Sequence, residues 1–437
     1  MHKICLTLPT NRACAATISA ITQEAAYAAG HFDVEVCLLI LDSSDEHSFA
    51  EHAQVVREAR GKTPNVGVHH LSETEQRHYL RRVIDRADIA KPDLMLDLML
   101  PTDVSYGACT NRAFLIGSAL GCQSIHRRDS DSRYQVLNGT TVFPIHHELT
   151  SLGKRASDAA SGVSETILDP THADKPVVLV GSSFVGELSV DIGEVYHLDQ
   201  NIYYDIVSLW APSDWSVTEK RQLVDESFRG AGTDTFTHDH STLTIVDPMC
   251  VDMCNISFYQ VHEDIPLPPA TNTIGSDYFL MHLVHDATLP GVQHNRNITN
   301  FYTDERRTEA GFMAYQMRLT KFFLSMLYFH FVYQKMAAAS ESLLDDRHRV
   351  RVSTITEFVT ESARLDKDEN AQRLNSLDRA YRQLGGKYAA FADILAPRRQ
   401  QLLDEAQRDI EDFALLIEAW EPLIRAGKAT SVNQRQR

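Results

Sequence analysis

Apolar positions recur along the first 130 residues in two alternating rhythms. Short, nearly continuous apolar runs such as KICLTLP and DVEVCLLILD alternate with TNRACAATISAITQEAAYAAG and SFAEHAQVVREARG, where apolar residues fall three and four apart. The runs predict buried strands, and the spaced segments predict helices closed by Gly30 and Gly61. NVGVHHL predicts a third strand, ETEQRHYLRRVIDRADI and ACTNRAFLIGSALG two more helices, and QSIHR a fourth strand. Repeated strand–helix units imply a mostly parallel, doubly wound sheet. Ligands of such sheets sit beyond the carboxyl ends of the strands. Asp42 and the Asp129–Ser130–Asp131 turn stand at two such ends.

From residue 136 to 304 the pattern is mixed. The strand-like runs PVVLVG, STLTIVD and NISFYQV alternate with Gly, Pro and Asp loops, and the polar, small-residue stretch 151–175 predicts a surface excursion. From Thr308 onward helical spacing dominates, in MAYQMRLTKFFLSMLYFHFVYQKMAAA, TITEFVTESARL, NSLDRAYRQLGGKYAAFADIL and PRRQQLLDEAQRDIEDFALLIEAW. The most apolar stretch, Phe322–Tyr333, is too short to span a bilayer and is flanked by Lys321 and Lys335. It predicts a buried helix, or a face through which the C-terminal helices form a homodimer. The tail from Arg425 is expected to be disordered. There is no internal repeat. The expected division is 1–135, 136–304 and a helical region 305–437.

Composition narrows the function classes. The net charge is −17, from 42 basic and 59 acidic residues, which argues against a general affinity for nucleic acid or an anionic membrane. It leaves open a small phosphorylated ligand held through a metal. Seven cysteines, an odd number without two pairs at zinc-site spacing, predict reduced, mostly buried thiols in a cytoplasmic protein. The N-terminus has no long apolar segment before Pro9, so no signal peptide is expected.

The candidate chemistry centres on Asp129 and Asp131. An Asp-x-Asp turn at a strand end can ligate a hard divalent cation, Mn²⁺ or Mg²⁺, that keeps further positions for phosphate oxygens. Without context the same residues read as a solvated turn. His126, Arg127 and Arg128 directly before it either contact phosphates, which arginine binds bidentately, or pair with neighbouring acids. His238 and His240 lack a third ligand in sequence and read as a polar turn, as do His69–His70 and His146–His147. His282, His285 and Asp286 on one helix read as packing residues. No G-x-S-x-G elbow or G-x-x-x-x-G-K-[ST] loop is present, which lowers hydrolase and ATPase readings.

Taken in order, these segments resemble the glycosyltransferases of the GT-A fold, especially the large family-2-like group. The order is strand, LPTNR, Ala-rich helix, a strand ending in Asp42, YGACTNRAFLIGSALG, then a strand and DSD. The resemblance implies an α/β, Rossmann-like nucleotide-diphospho-sugar transferase fold with a C-terminal helical extension. In its terms 1–135 is the nucleotide-sugar-binding half and 136–304 the acceptor-binding half. It implies that Thr10, Asn11 and Arg12 form the nucleotide loop, that Asp42 binds the base, and that Asn111 and Arg112 face the nucleotide. Arg128 and Asp129 would meet the diphosphate, and Asp129 and Asp131 the metal.

VDMCNISFYQVHEDIPLPP resembles the acceptor-side strand and loop, and TIGSDYFLMHLV the helix start that carries a catalytic acid, here Asp277. PGVQHNRNITNFYTDERR resembles the segment that completes the metal site, which makes His294 a third ligand and places Arg296 near the diphosphate. The chain departs from the pattern in the polar strand SIHRR and in Ser276–Asp277, where the group carries Glu-Asp. The implied function is metal-dependent transfer of a sugar from a nucleotide-diphosphate donor to a soluble small-molecule acceptor, without nucleic acid or membrane insertion. A nucleotidyltransferase is one alternative, disfavoured because LPTNRACAATIS lacks a Gly-rich loop and a lysine. A non-catalytic binding protein on the same fold is the other.

Overall fold

A computed structural model describes residues 2–432 apart from 189, 191 and 303. The first half follows the predicted rhythm. It runs β1 (His2–Thr10), α1 (Ala15–His31), β2 (Val34–Asp42), α2 (Glu46–Ala59), β3 (Val66–Ser72), α3 (Glu73–Ala87), α4 (Pro92–Met99), α5 (Tyr106–Ala119) and β4 (Ser124–Arg128). Of these, α4 is an addition to the predicted order. Short strands β5 (Ser132–Tyr134), β6 (Val136–Leu137) and β7 (Thr140–Thr141) then lead to α6 (Ile145–Ser151) and α7 (Ala156–Ala159). The mixed segment holds β8 (Glu165–Thr166), β9 (Leu179–Gly181), β10 (Phe184–Gly186), α8 (Gly193–Leu198), α9 (Gln200–Val207), α10 (Val217–Glu226), β11 (Ser241–Thr244) and β12 (Asn255–Tyr259). It closes with α11 (Val261–Asp264), α12 (Phe279–Asp286), β13 (Gly291–His294) and β14 (Ile298–Asn300).

One nine-stranded sheet runs through both halves, in the order β3-β2-β1-β4-β12-β9-β13-β11-β8. β1 to β4 are mutually parallel, β12 runs antiparallel between β4 and β9, and β11 is antiparallel to β13. The register Thr10↔Asp42↔Ser72 aligns the carboxyl ends of β1, β2 and β3 at one edge. Strand alternation divides the core. Leu6, Leu38 and Ile40 pack with Ile18 and Ile21 of α1 on one face. Cys5, Leu39 and Leu41 pack with Phe114 and Leu115 of α5 on the other.

The C-terminal helices are α13 (Glu309–Ala339), α14 (Val352–Ser362), α15 (Asp368–Leu384), α16 (Gly386–Leu395) and α17 (Arg399–Lys428). The segment NSLDRAYRQLGGKYAAFADIL breaks into α15 and α16 because Gly385 takes a left-handed φ of 74°. These helices join the α5 face of the sheet. Phe323 of α13 and Leu416 and Trp420 of α17 belong to the same apolar cluster as Cys5 and Phe114. The Trp420 indole N–H donates to the carbonyl of His262 at 3.1 Å. Helix α17 carries the chain to Lys428, further than the predicted tail, and residues 433–437 lie outside the described residues. All seven cysteines are free thiols, and Cys250 is exposed where a buried thiol is expected. Among the described residues no helix is long and apolar enough to cross a membrane.

Candidate functional site

A cavity of about 700 Å³ opens beyond the carboxyl ends of β1, β2 and β4. Its near end is polar. Thr10, Asn11 and Arg12, where β1 turns toward α1, form one wall, and Asp129 and Asp131 after β4 form the next. Asp277, in the 3₁₀ turn Ser276–Tyr278 that opens α12, and Arg112 of α5 complete this end. Seven of the residues expected from sequence to serve the site are therefore brought together.

The Asp129–Asp131 turn is tied down at both sides. Ser132 Oγ donates to the Asp129 carbonyl at 2.8 Å, and Thr17 Oγ1 donates to the Ser130 carbonyl at 3.0 Å. Arg12 pairs with Asp131 at 3.0 Å. Arg127 pairs with Asp129 at 3.1 Å and with Asp277 at 3.4 Å, and donates to the Met253 carbonyl at 2.5 Å. Asp252 faces the same space and accepts from the Tyr278 hydroxyl. Burial pushes the Asp129 carboxyl up to about 6; Arg127 opposes the shift, while Asp131, Asp252 and Asp277 add to it. Burial also raises Asp277.

Five of the residues expected at the site point elsewhere. Asp42 is turned inward and is almost fully buried. Burial opposes its ionisation, but hydrogen bonds from His52, His70 and Ser44 win and hold the carboxyl below the usual range. Only its neighbours Leu41 and Ser43 reach the cavity. Asn111 forms a reciprocal amide pair with Leu267, at 2.8 and 2.7 Å, and so pins the loop after α11. Arg128 lies on the other face of β4 from the cavity. It makes a bidentate pair with Glu24 and a 3.0 Å pair with Glu148, which in turn takes His126 at 2.6 Å. His294 is buried, stacks on His147 at 5.2 Å, and is not gathered with Asp129 and Asp131. Arg296 pairs with Asp239 at 2.7 Å.

The polar end fits a hard divalent cation in its donor chemistry. Asp129, Asp131, Asp252 and Asp277 offer oxygen ligands only, and their negative charge is opposed locally by Arg12 and Arg127. Among the described residues, the three donors whose ligand atoms lie within 4.8 Å of one another are instead Asp42, His52 and His70. There both rings stand 2.8 Å from the same Asp42 oxygen. The Cys14 amide donates to His52 Nε2 at 2.9 Å, which leaves the ring proton on Nδ1, facing Asp42. That cluster is hydrogen-bonded as it stands.

Next to the turn that carries Asp277, where Phe322 lies against Gly275, the cavity wall becomes aromatic. Trp210, Phe228 and Phe322 line it, with Trp210 stacked on Phe228 and edge-on to Phe322, both at 5.3 Å. His282 and Asp286 of α12 and His330 of α13 form its polar floor. The sequence reading left Arg127 open between phosphates and neighbouring acids, took His282 and Asp286 as packing residues, and did not single out Asp252. A signal existed for Arg127: residues 127 and 129 share one side of an extended strand, and 126 and 128 the other. No sequence signal joins α12 to α13.

No curated protein matches the chain. Among solved structures, the mannosyltransferase PcManGT from Pyrobaculum calidifontis, in complex with GDP-Man and Mn²⁺, is similar with a TM-score of 0.34 at 11% identity. The match covers 95% of this chain and 86% of that one, a likeness too remote to bear on the chemistry of this site. A family model matches residues 2–436, and the chain belongs to that family, DUF6271, a family of unknown function.

Proposed function

We propose that this chain is a glycosyltransferase that moves a sugar from a nucleotide-diphosphate donor to a small-molecule acceptor with the help of a divalent metal. One observation carries the reading. A single cavity at the strand ends is walled by Asp129, Asp131 and Asp277 together with Arg12 and Arg127. Asp129 and Asp131 would hold Mn²⁺ or Mg²⁺, and Asp252 stands on the same wall. The metal would neutralise negative charge on the leaving diphosphate. Arg12 and Arg127 bring guanidinium groups to the same place, matched to phosphate oxygens. Asp277, buried and raised, suits the role of base toward an acceptor hydroxyl, and Arg127 at 3.4 Å fixes its position. The divisions at 135 and 304 are retained as a split of labour between donor and acceptor.

Isothermal titration with UDP, GDP and dTDP, with and without Mn²⁺, tests this. At least one diphosphate is expected to bind in a metal-dependent way, and Asp131→Ala to abolish that dependence while barely moving the melting transition. No metal-dependent binding of any of the three would sink the reading. The Arg12–Asp131 and Arg127–Asp129 ion pairs favour a second reading, a binding protein whose acids are already neutralised. Diphosphate binding unchanged by metal would select it.

A further inference from the structure

Charge is unevenly distributed around the cavity. The basic residues in its wall, Arg12, Arg112 and Arg127, all belong to the Asp129–Asp131 end. The far arm holds two acids, Glu226 and Asp286, and no lysine or arginine among the described lining residues. The same wall carries the aromatic and apolar side chains Trp210, Phe228, Phe322 and Met326.

The floor of this arm carries unsatisfied polar atoms. Asp286 Oδ2 and His330 Nδ1 are buried and have no hydrogen-bond partner. His282 stacks on Tyr333 at 3.9 Å, which fixes the ring against the α13 side of the arm. Burial holds His282 and His330 down to about 3, so both are neutral at neutral pH. Arg373, the cation that faces His330 from α15, is itself paired with Glu369 at 2.5 Å. A buried acceptor without a donor costs free energy that a ligand's N–H or O–H recovers on binding. The helix geometry gives a length as well. Asp277 and Asp286 lie nine residues apart along one continuous helical segment, about 14 Å by helical rise.

We propose that this arm is the acceptor subsite, and that the acceptor is an apolar, ring-bearing molecule with an amine or hydroxyl at the end remote from the reacting group. The proposal rests on the donor assignment of the opposite end. The ring body packs among Trp210, Phe228 and Phe322. The remote amine or hydroxyl donates to Asp286, with His330 Nδ1 beside it. The reacting hydroxyl comes to Asp277. Carbohydrates, which present polar groups on all sides, are poorly matched to this wall. Carboxylates are repelled by Asp286 and Glu226. Helix α13, and so the C-terminal region, thereby takes part in choosing the substrate.

Isothermal titration of the full chain with tryptamine, tryptophol, indole-3-acetate and glucose tests the subsite without any donor present. Tryptamine and tryptophol are expected to bind, indole-3-acetate about tenfold more weakly or worse, and glucose not measurably. Asp286→Asn, nearly isosteric, is expected to bring indole-3-acetate within about threefold of tryptamine. Met326→Trp, checked for an intact melting transition, is expected to weaken both indoles by narrowing the arm. Glucose binding as tight as the indoles, or a tryptamine preference untouched by Asp286→Asn, overturns the proposal. Titration of UDP, GDP and dTDP with Mn²⁺ on the same samples separates the two readings. If none of the three binds and indole selectivity persists, the donor assignment falls and the arm remains a binding site. If any of them binds and indole selectivity is absent, this inference alone falls.

Discussion

Arg127 and Arg128 are neighbours on β4 and have different jobs. Arg127 reaches the cavity and its acids, whereas Arg128 is sealed under α1 between Glu24 and Glu148. Glu24 also accepts from the Tyr134 hydroxyl at 2.5 Å and from the Ile145 amide at 3.0 Å, so this ionic cluster ties α1, β4 and α6 together. Burial works against the Arg128 charge, but Glu148 and Glu24 overcome it and raise the group further. Removing one partner from such a cluster leaves uncompensated buried charge. Arg128→Met is therefore expected to lower unfolding stability by about 3–5 kcal/mol in urea titration, through a defect on the face of β4 opposite the cavity. A variant that stays stable but loses nucleoside diphosphate binding would instead place Arg128 in the site. At this scale the sequence was only half legible. Side-chain type pointed to phosphate for both arginines, but direction is what separates them, and direction follows strand alternation and packing partners such as Glu24, 104 positions away.

At the scale of elements, close approach decides which glycines matter. Gly107 lies in the first turn of α5, and a Cβ there would stand 1.9 Å from the Pro268 carbonyl oxygen. That contact, with the Asn111–Leu267 amide pair one turn on, holds the loop between α11 and α12 against α5. Gly107→Ala is expected to cost about 1–3 kcal/mol by overpacking against backbone that cannot yield locally. Gly30→Ala near the end of α1, where nothing lies within 4 Å, is expected to be neutral or slightly stabilising. Equal effects at the two positions, read by thermal melting, would contradict the packing account. The β1–β4 half was legible in sequence because β1 and β2 are nearly continuous apolar runs buried on both faces and the helices between the strands carry three- and four-residue spacing. The position of β12, inserted antiparallel between β4 and β9, was not. It depends on pairings across more than 70 residues that no local pattern encodes.

At the scale of the whole molecule, the helical region is built into the sheet that carries the cavity. Its α13 and α17 residues share one apolar cluster with the sheet, and α17 packs on α3 and α5. A chain ending at residue 308 would expose Leu115, which lies against Gly427, and Phe279, which packs on Phe329 and Phe413. Such a truncation is expected to lose the cooperative melting transition seen by circular dichroism and to aggregate. A well-folded 1–308 fragment would show that the helices are separable. The sequence correctly placed helices after Thr308, but their role as a wall of the cavity depends on α12 meeting α13, a contact between segments that look alike to any pattern of periodicity.

That shared wall has a bearing on how such a protein can change. One end of the cavity is made by turns after strands, whose residues are constrained together by charge. The other is made by side chains of α12 and α13, with Trp210 and Phe228, that contact one another chiefly through rings. Substitutions such as those at Met326 or Phe322 alter the room in one end while leaving the Asp129–Asp131 turn and its anchors untouched. Descendants of one ancestor can therefore diverge in what they accept at one end while inheriting what they hold at the other.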